Sequence, residues 1–139
     1  LNAERDILLK TAGVDPDKLK QVMDAKLLQD GQHLVRRVPV GEKVVDAILD
    51  LVRAGRPEIT DIEAVRKHVS WGPGPRASQA LMMAVRARAA IDGRLSPSLD
   101  DVLTLAHPVL RHRMALTFAA RAEGVTLGSV IDQLCDRIT

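Results

Sequence analysis

The sequence has 139 residues, of which 46% are apolar, so the chain is not expected to be disordered. Only 1% are aromatic, namely Trp71 and Phe118, so the core suits packed helices better than a β-sandwich or barrel. The net charge of +2, from 20 basic and 18 acidic residues, is no nucleic-acid footprint, so nucleic acid is an unlikely partner, although the pI near 9.0 leaves that option open. No apolar run approaches the roughly 20 residues of a membrane helix. The single cysteine, Cys135, excludes an internal disulfide and fits a reducing, cytoplasmic compartment.

Helix-start residues and glycine or proline stops divide the first half of the chain into five predicted helices. They are expected from Asn2 to Ala12, from Pro16 onward, from a cap at Asp24 through Val35, from Gly41 to Gly55, and from a Thr60–Glu63 capping box to about Val69. The helix that follows Gly41 has the clearest period, because its apolar residues recur at helical spacing. These residues are Val44, Val45, Ile48, Leu51 and Val52.

In the second half of the chain, two glycines and two prolines within 72–75 predict a loop, and Pro75 occupies the first turn of the next helix. That helix is expected to continue to about Ile91 and to end at Gly93. Ser98 is expected to cap the following helix, which Pro108 breaks or restarts. A last helix is expected after the segment 124–126.

Together these segments predict a compact all-α helical bundle that forms a single domain over residues 1–139. One very short two-stranded element is expected near residues 36–40 and 94–97. The chain begins at Leu1 rather than Met and enters a helical pattern at once. We therefore expect it to be a piece of a longer protein.

Several catalytic motifs are missing from the sequence. It has no G-x-x-x-x-G-K-[ST] phosphate loop, no H-E-x-x-H or C-x-x-C metal motif, and no G-x-S-x-G nucleophile motif. The histidines are scattered, so no metal site is predicted; they are His33, His68, His107 and His112. A self-contained enzyme is not expected.

The segment Gly74–Ala77 carries the sharpest chemical signal. It places Arg76 in the first turn of a helix, where the partial positive charge of the helix end disfavours a cation. A bound phosphate or partner carboxylate would reverse that penalty, because both the free N–H groups and the guanidinium favour an anion. Alternatively, Arg76 is simply solvated or paired with a nearby aspartate.

Two other segments have a functional and a structural interpretation. The basic run Arg111–Arg113 could face a partner, or its arginine stems could cover apolar neighbours. The helix from Thr126 to Ile138 could be the recognition helix of an independent helix-turn-helix module that binds DNA, or a protein-interaction helix. Against DNA binding, this helix has only one positive residue, Arg137.

The residues 74–81, G-P-R-A-S-Q-A-L, resemble the second-sensor motif of the MoxR family of AAA+ ATPases, which typically reads G-x-S-P-R-A. The run His107–Arg113 resembles the P-V-L-x-H-R segment of that family, and the segments 92–94 and 123–127 are similar in character. The resemblance covers essentially the whole chain and is strongest from residue 72 to 138. Gly74 stands where the family usually has serine.

The resemblance implies that the chain is the helical lid of a larger ATPase, packed on an N-terminal αβα core of the same chain that holds ATP and Mg²⁺. Arg76 would then be the second-sensor arginine that reaches the γ-phosphate, with Gly74, Pro75 and Ala77 beside the nucleotide. The family forms ring oligomers with neighbouring subunits and has a chaperone-like role on client proteins, here unknown. Without the core, this chain is expected to be inactive.

Overall fold

The computed structural model of the chain describes residues 1–12 and 20–138, which divide into two units, Leu1–Gly31 and Gln32–Thr139. Eight helices and one two-stranded sheet lie in the described residues. The predicted all-α class is therefore confirmed. Among these residues no helix combines the length and the apolar character needed to cross a bilayer.

The first unit contains helix α1 (Asn2–Thr11) and the first half of helix α2 (Ala25–Arg37). The predicted cap of α2 is confirmed, because the Leu27 N–H donates to Asp24 Oδ1 at 2.6 Å. Most of the helix predicted from Pro16 lies outside the described residues, and residues 20–24 are not helical.

The second unit contains the remaining elements, and its core lies between four of its helices. The elements are α3 (Glu42–Ala54), α4 (Glu63–His68), β1 (Val69–Trp71), α5 (Pro75–Ile91), α6 (Leu99–Leu110), β2 (Ala115–Leu116), α7 (Phe118–Ala122) and α8 (Leu127–Asp136). The core helices are α3, α5, α6 and α8.

Apolar residues at helical spacing fill this core. The largest fully buried aliphatic side chains are Ile48, Leu51, Leu81, Leu110, Ile131 and Leu134. Burying each of them contributes about 1.5–3 kcal/mol relative to leaving it exposed. On α5 the buried residues recur every four positions and two of them, Ala77 and Ala89, are alanines, so the neighbouring helices can approach closely.

The short sheet forms elsewhere than the sequence predicted. Strands β1 and β2 pair antiparallel, with Val69 opposite Leu116 and Trp71 opposite Ala115. The prediction of strands near 36–40 and 94–97 is wrong. Residues 36 and 37 belong to α2, and Pro97 has no N–H to donate to a strand ladder.

Helix α6 runs through Pro108, so the predicted break there is wrong. Backbone bonding resumes after the proline, where the Arg111 N–H donates to the His107 carbonyl at 3.0 Å. Val109 and Leu110 are both buried in the core. Their burial offsets the hydrogen bond that the proline removes.

The capping box predicted at Thr60 is also wrong. Thr60 Oγ1 accepts a hydrogen bond from the Ile62 N–H at 3.1 Å, which forms a tight turn before α4 begins at Glu63. A threonine bonded two residues onward closes a local turn, and the helix starts at Glu63, two residues later than a capping box at Thr60 requires.

Candidate functional site

The predicted site residues lie together at the start of α5. Gly74 is the N-cap, with an extended backbone at φ −84° and ψ −177°, and Pro75 is the first helical residue. Arg76 is exposed and makes no hydrogen bond or ion pair with any other described residue. Of the two structural alternatives for Arg76, the arrangement is therefore the solvated one and not a pair with aspartate.

Ala77 differs from its three neighbours because its side chain is fully buried in the core. Its backbone N–H donates to the Gly74 carbonyl at 2.9 Å, which closes the first turn of α5. Ala77 therefore anchors the turn, whereas Gly74, Pro75 and Arg76 lie on the surface.

The electrostatics of this helix end favour an anion. The first turn of α5 contains no acidic residue and no side-chain cap. The guanidinium of Arg76 adds a full positive charge to the partial positive charge of the helix end. A phosphate oxygen is the group that both charges would stabilise.

The loop before α5 is held against the turn that follows α3. The Arg56 Nε donates to the Pro73 carbonyl at 2.9 Å. A Cβ added to Gly72 would lie 2.5 Å from the Gly55 carbonyl oxygen, so only glycine fits there without a shift. The sequence indicated only that a helix ends near Gly55 and gave no signal that this turn contacts the loop.

The second basic segment is partly tied to its own helix. Arg113 is half-buried, and its Nη1 donates to the Val109 carbonyl at 2.7 Å. Arg113 also contacts the His112 ring, while Arg111 and His112 are exposed. The interpretation of Arg113 as a stem packed over apolar neighbours fits this arrangement.

The histidines do not converge on a metal site. His107 Nε2 lies 2.8 Å from Asp132 Oδ1, which joins α6 to α8. Within residues 1–12 and 20–138, no group of three or more His, Cys, Asp or Glu residues is placed to hold a metal ion.

Helix α8 gives no support to the DNA-binding alternative. Its apolar face, Val130, Ile131 and Leu134, is buried, and it exposes Asp132 and Asp136. The adjacent Arg137 donates to Asp61 at 2.5 Å, an ion pair that lowers the pKa of Asp61. A helix with an acidic exposed face is unsuited to the DNA major groove.

Comparisons with known proteins agree on one family. The AAA lid domain model matches residues 62–134 of the chain. Chaperone MoxR1 of Mycobacterium tuberculosis is 32% identical over 136 residues, which are 97% of this chain and 36% of MoxR1. The crystal structure of a candidate ATPase from Cytophaga hutchinsonii has a TM-score of 0.84 at 21% identity, covering 99% of this chain and 42% of that chain. The chain thus spans less than half the length of either relative.

Proposed function

The chain belongs to the AAA lid domain family, and from that premise we propose that Arg76 is the arginine with which this lid contacts the γ-phosphate of ATP. The resemblance to MoxR-type proteins inferred from the sequence is confirmed by the match to chaperone MoxR1. The nucleotide would lie between this lid and an N-terminal core in the same protein. The lid would close over the nucleotide on the side opposite the core.

The observation that carries the proposal is the exposed Arg76 in a first turn without acidic residues. In that position the guanidinium raises the free energy of the helix end unless an anion is present. A terminal phosphate supplies such an anion, and it can accept two N–H groups of the arginine at once. Gly74 adds no side chain that would obstruct its approach, since a Cβ there would meet nothing within 4 Å.

The chemistry expected of Arg76 is charge stabilisation. During phosphoryl transfer, negative charge spreads over the oxygens of the transferred group, and a fixed guanidinium stabilises that charge. The same contact would link lid position to nucleotide state. The contact between Arg76 and the γ-phosphate would stabilise the closed position of the lid, and it exists only while that phosphate is present.

The remaining ligands are proposed to come from other parts of the protein. The described residues contain no cluster of carboxylates for Mg²⁺, whereas Arg76 and the α5 end fit a phosphate. Mg²⁺ and most of the ATP contacts are proposed to belong to the core, as the resemblance to the MoxR family implies. We extend the proposal, on the resemblance to the MoxR family, to a cytoplasmic ring of neighbouring subunits that uses ATP hydrolysis to remodel a client protein. The relative MoxR1 is named as a chaperone, which supports the client-remodelling part.

The test is ATP turnover by the full-length protein with Arg76→Ala. We expect turnover to fall at least ~10-fold, by analogy with the removal of one transition-state donor, while the melting temperature changes little. The matched control is Arg121→Ala, since Arg121 is an exposed arginine on α7. Turnover by Arg76→Ala equal to that of Arg121→Ala would remove Arg76 from the mechanism.

A further inference from the structure

We infer that Arg56 is a positioning residue for Arg76, acting through its hydrogen bond to the Pro73 carbonyl. This inference rests on the proposed function of Arg76. Arg56 belongs to the turn after α3, seventeen residues before Pro73. It would not touch the nucleotide, and it would set the place from which Arg76 reaches it.

Arg56 is itself well fixed. Its N–H donates to the Arg53 carbonyl at 3.0 Å, and its carbonyl accepts from the Thr60 N–H at 3.1 Å. The side chain is half-buried, and the Nε–H lies 2.9 Å from the Pro73 oxygen. A hydrogen bond from a charged donor that is partly shielded from water is stronger than its exposed counterpart.

The two backbones interlock around this bond. A Cβ on Gly72 would lie 2.8 Å from the Arg56 Cα, and a Cβ on Gly55 would lie 2.9 Å from the Pro73 ring. Gly55 and Pro73 are both buried. The backbone of the loop therefore packs directly against the turn, and the Arg56 side chain adds a hydrogen bond to the Pro73 carbonyl.

Only a short stretch separates this anchored loop from Arg76. The rings of Pro73 and Pro75 fix their φ angles, so Gly74 is the one residue between them with two free backbone angles. On the other side, the buried Ala77 is held by the core. The Arg56 bond therefore holds the start of α5 from the loop side, as Ala77 holds it from the core side. Without that bond, Gly74 would be the residue about which the start of the helix could shift.

A stability role alone is the competing account of Arg56, and matched substitutions separate the two. Arg56→Met keeps a side chain of similar length and removes the donor. Arg56→Gln places an N–H at the same number of bonds from the backbone as the arginine Nε. The control is Arg53→Met, because Arg53 is exposed and lies one helical turn away.

The experiment measures kcat and KM for ATP with the full-length protein. For Arg56→Met we expect kcat to fall about 5- to 10-fold while KM changes less than about twofold, because small displacements of a catalytic group lower rates steeply. Arg56→Gln and Arg53→Met should keep kcat within about twofold of the original. In the Arg76→Ala background, Arg56→Met should lower kcat less than about twofold further, since residues that act as one unit are not additive.

The outcomes separate the two proposals. If Arg76→Ala lowers turnover but Arg56→Met does not, the role of Arg56 is overturned and that of Arg76 stands. If Arg76→Ala has no effect, both proposals fail. Three other outcomes would identify Arg56 as purely structural. In the first, the effects of Arg56→Met and Arg76→Ala on kcat multiply in the double variant. In the others, Arg56→Gln is as impaired as Arg56→Met, or Arg56→Met does not fold.

Discussion

Arg94 and Asp101 form a two-point ion pair in which Nη1 lies 2.7 Å from Oδ2 and Nη2 lies 2.7 Å from Oδ1. Asp101 is buried, and it also accepts the Ser98 N–H at 2.7 Å and lies 3.1 Å from the Arg88 Nε. The pair joins the loop after α5 to the start of α6, and Arg88 joins the last turn of α5 to the same carboxylate. The hydrogen bonds from Arg94 hold the pKa of Asp101 at about 2, because they favour the carboxylate more than burial disfavours it.

The first prediction concerns stability in acid. The pKa of Asp101 is lowered from 3.8 to about 2 on folding, so the unfolded chain binds this proton more readily than the folded one. The resulting stabilisation of about 2 kcal/mol is fully present above pH ~4 and is lost as the pH falls toward 2. Urea unfolding followed by circular dichroism between pH 7 and pH 2 measures it.

The second prediction is that Asp101→Asn removes this pH dependence. The variant should lose about 2 kcal/mol of unfolding free energy at pH 7 and should show a flatter profile between pH 4 and pH 2. Asp100→Asn is the control, because Asp100 is exposed in the same helical turn and its charge should contribute less than about 1 kcal/mol. Equal losses in both variants would contradict a special role for the Arg94–Asp101 pair.

The third prediction compares two glycines of one loop. In Gly72→Ala the new methyl group would lie 2.5 Å from the Gly55 carbonyl oxygen, a backbone atom that can give way only if the turn moves. We expect a loss of roughly 1–3 kcal/mol in unfolding free energy. Thermal and urea unfolding of the chain are the measurements.

Gly74→Ser is the matched variant for this loop. A Cβ at Gly74 would meet nothing within 4 Å, and serine at an N-cap is a few tenths of a kcal/mol better than glycine. The variant should therefore be as stable as the original chain or slightly more stable. A Gly74→Ser protein that is destabilised as strongly as Gly72→Ala would show that the loop tolerates no side chain at all.

The fourth prediction is that the 139-residue chain alone releases no phosphate from ATP. Its sequence has no phosphate loop, and its proposed contribution is one arginine that acts on a nucleotide held elsewhere. Phosphate release by the purified chain, with and without Mg²⁺, is the measurement. Sustained turnover would overturn the proposal that the chemistry belongs to a core domain elsewhere in the protein.

Much of the fold could be predicted because helix signals are local. The apolar stripe of α3 and the proline at the start of α5 identify these helices without reference to the rest of the chain. The pairing of β1 with β2 could not be predicted, since strands of three and two residues are too short to show alternation and their partners are distant in sequence. The break predicted at Pro108 is absent because the cost of the proline is offset by core packing that the sequence does not display.

The candidate site divides in the same way. The position of Arg76 in a first turn follows from Pro75 and the glycines before it, so the sequence alone was sufficient. The contact of Arg56 with Pro73 joins two turns that meet only in the folded chain. Glycines at both turns were visible, but the sequence could not indicate that each one leaves room for the other segment.

Helix α5 has 17 residues and is therefore about 25 Å long. Arg56 holds the loop before its first turn, and Arg88 in its last turn lies 3.1 Å from Asp101 of α6. Helix α5 is therefore held near both ends. A force on Arg76 would be transmitted along the helix to α6, because the residues at neither end are free to move and absorb it.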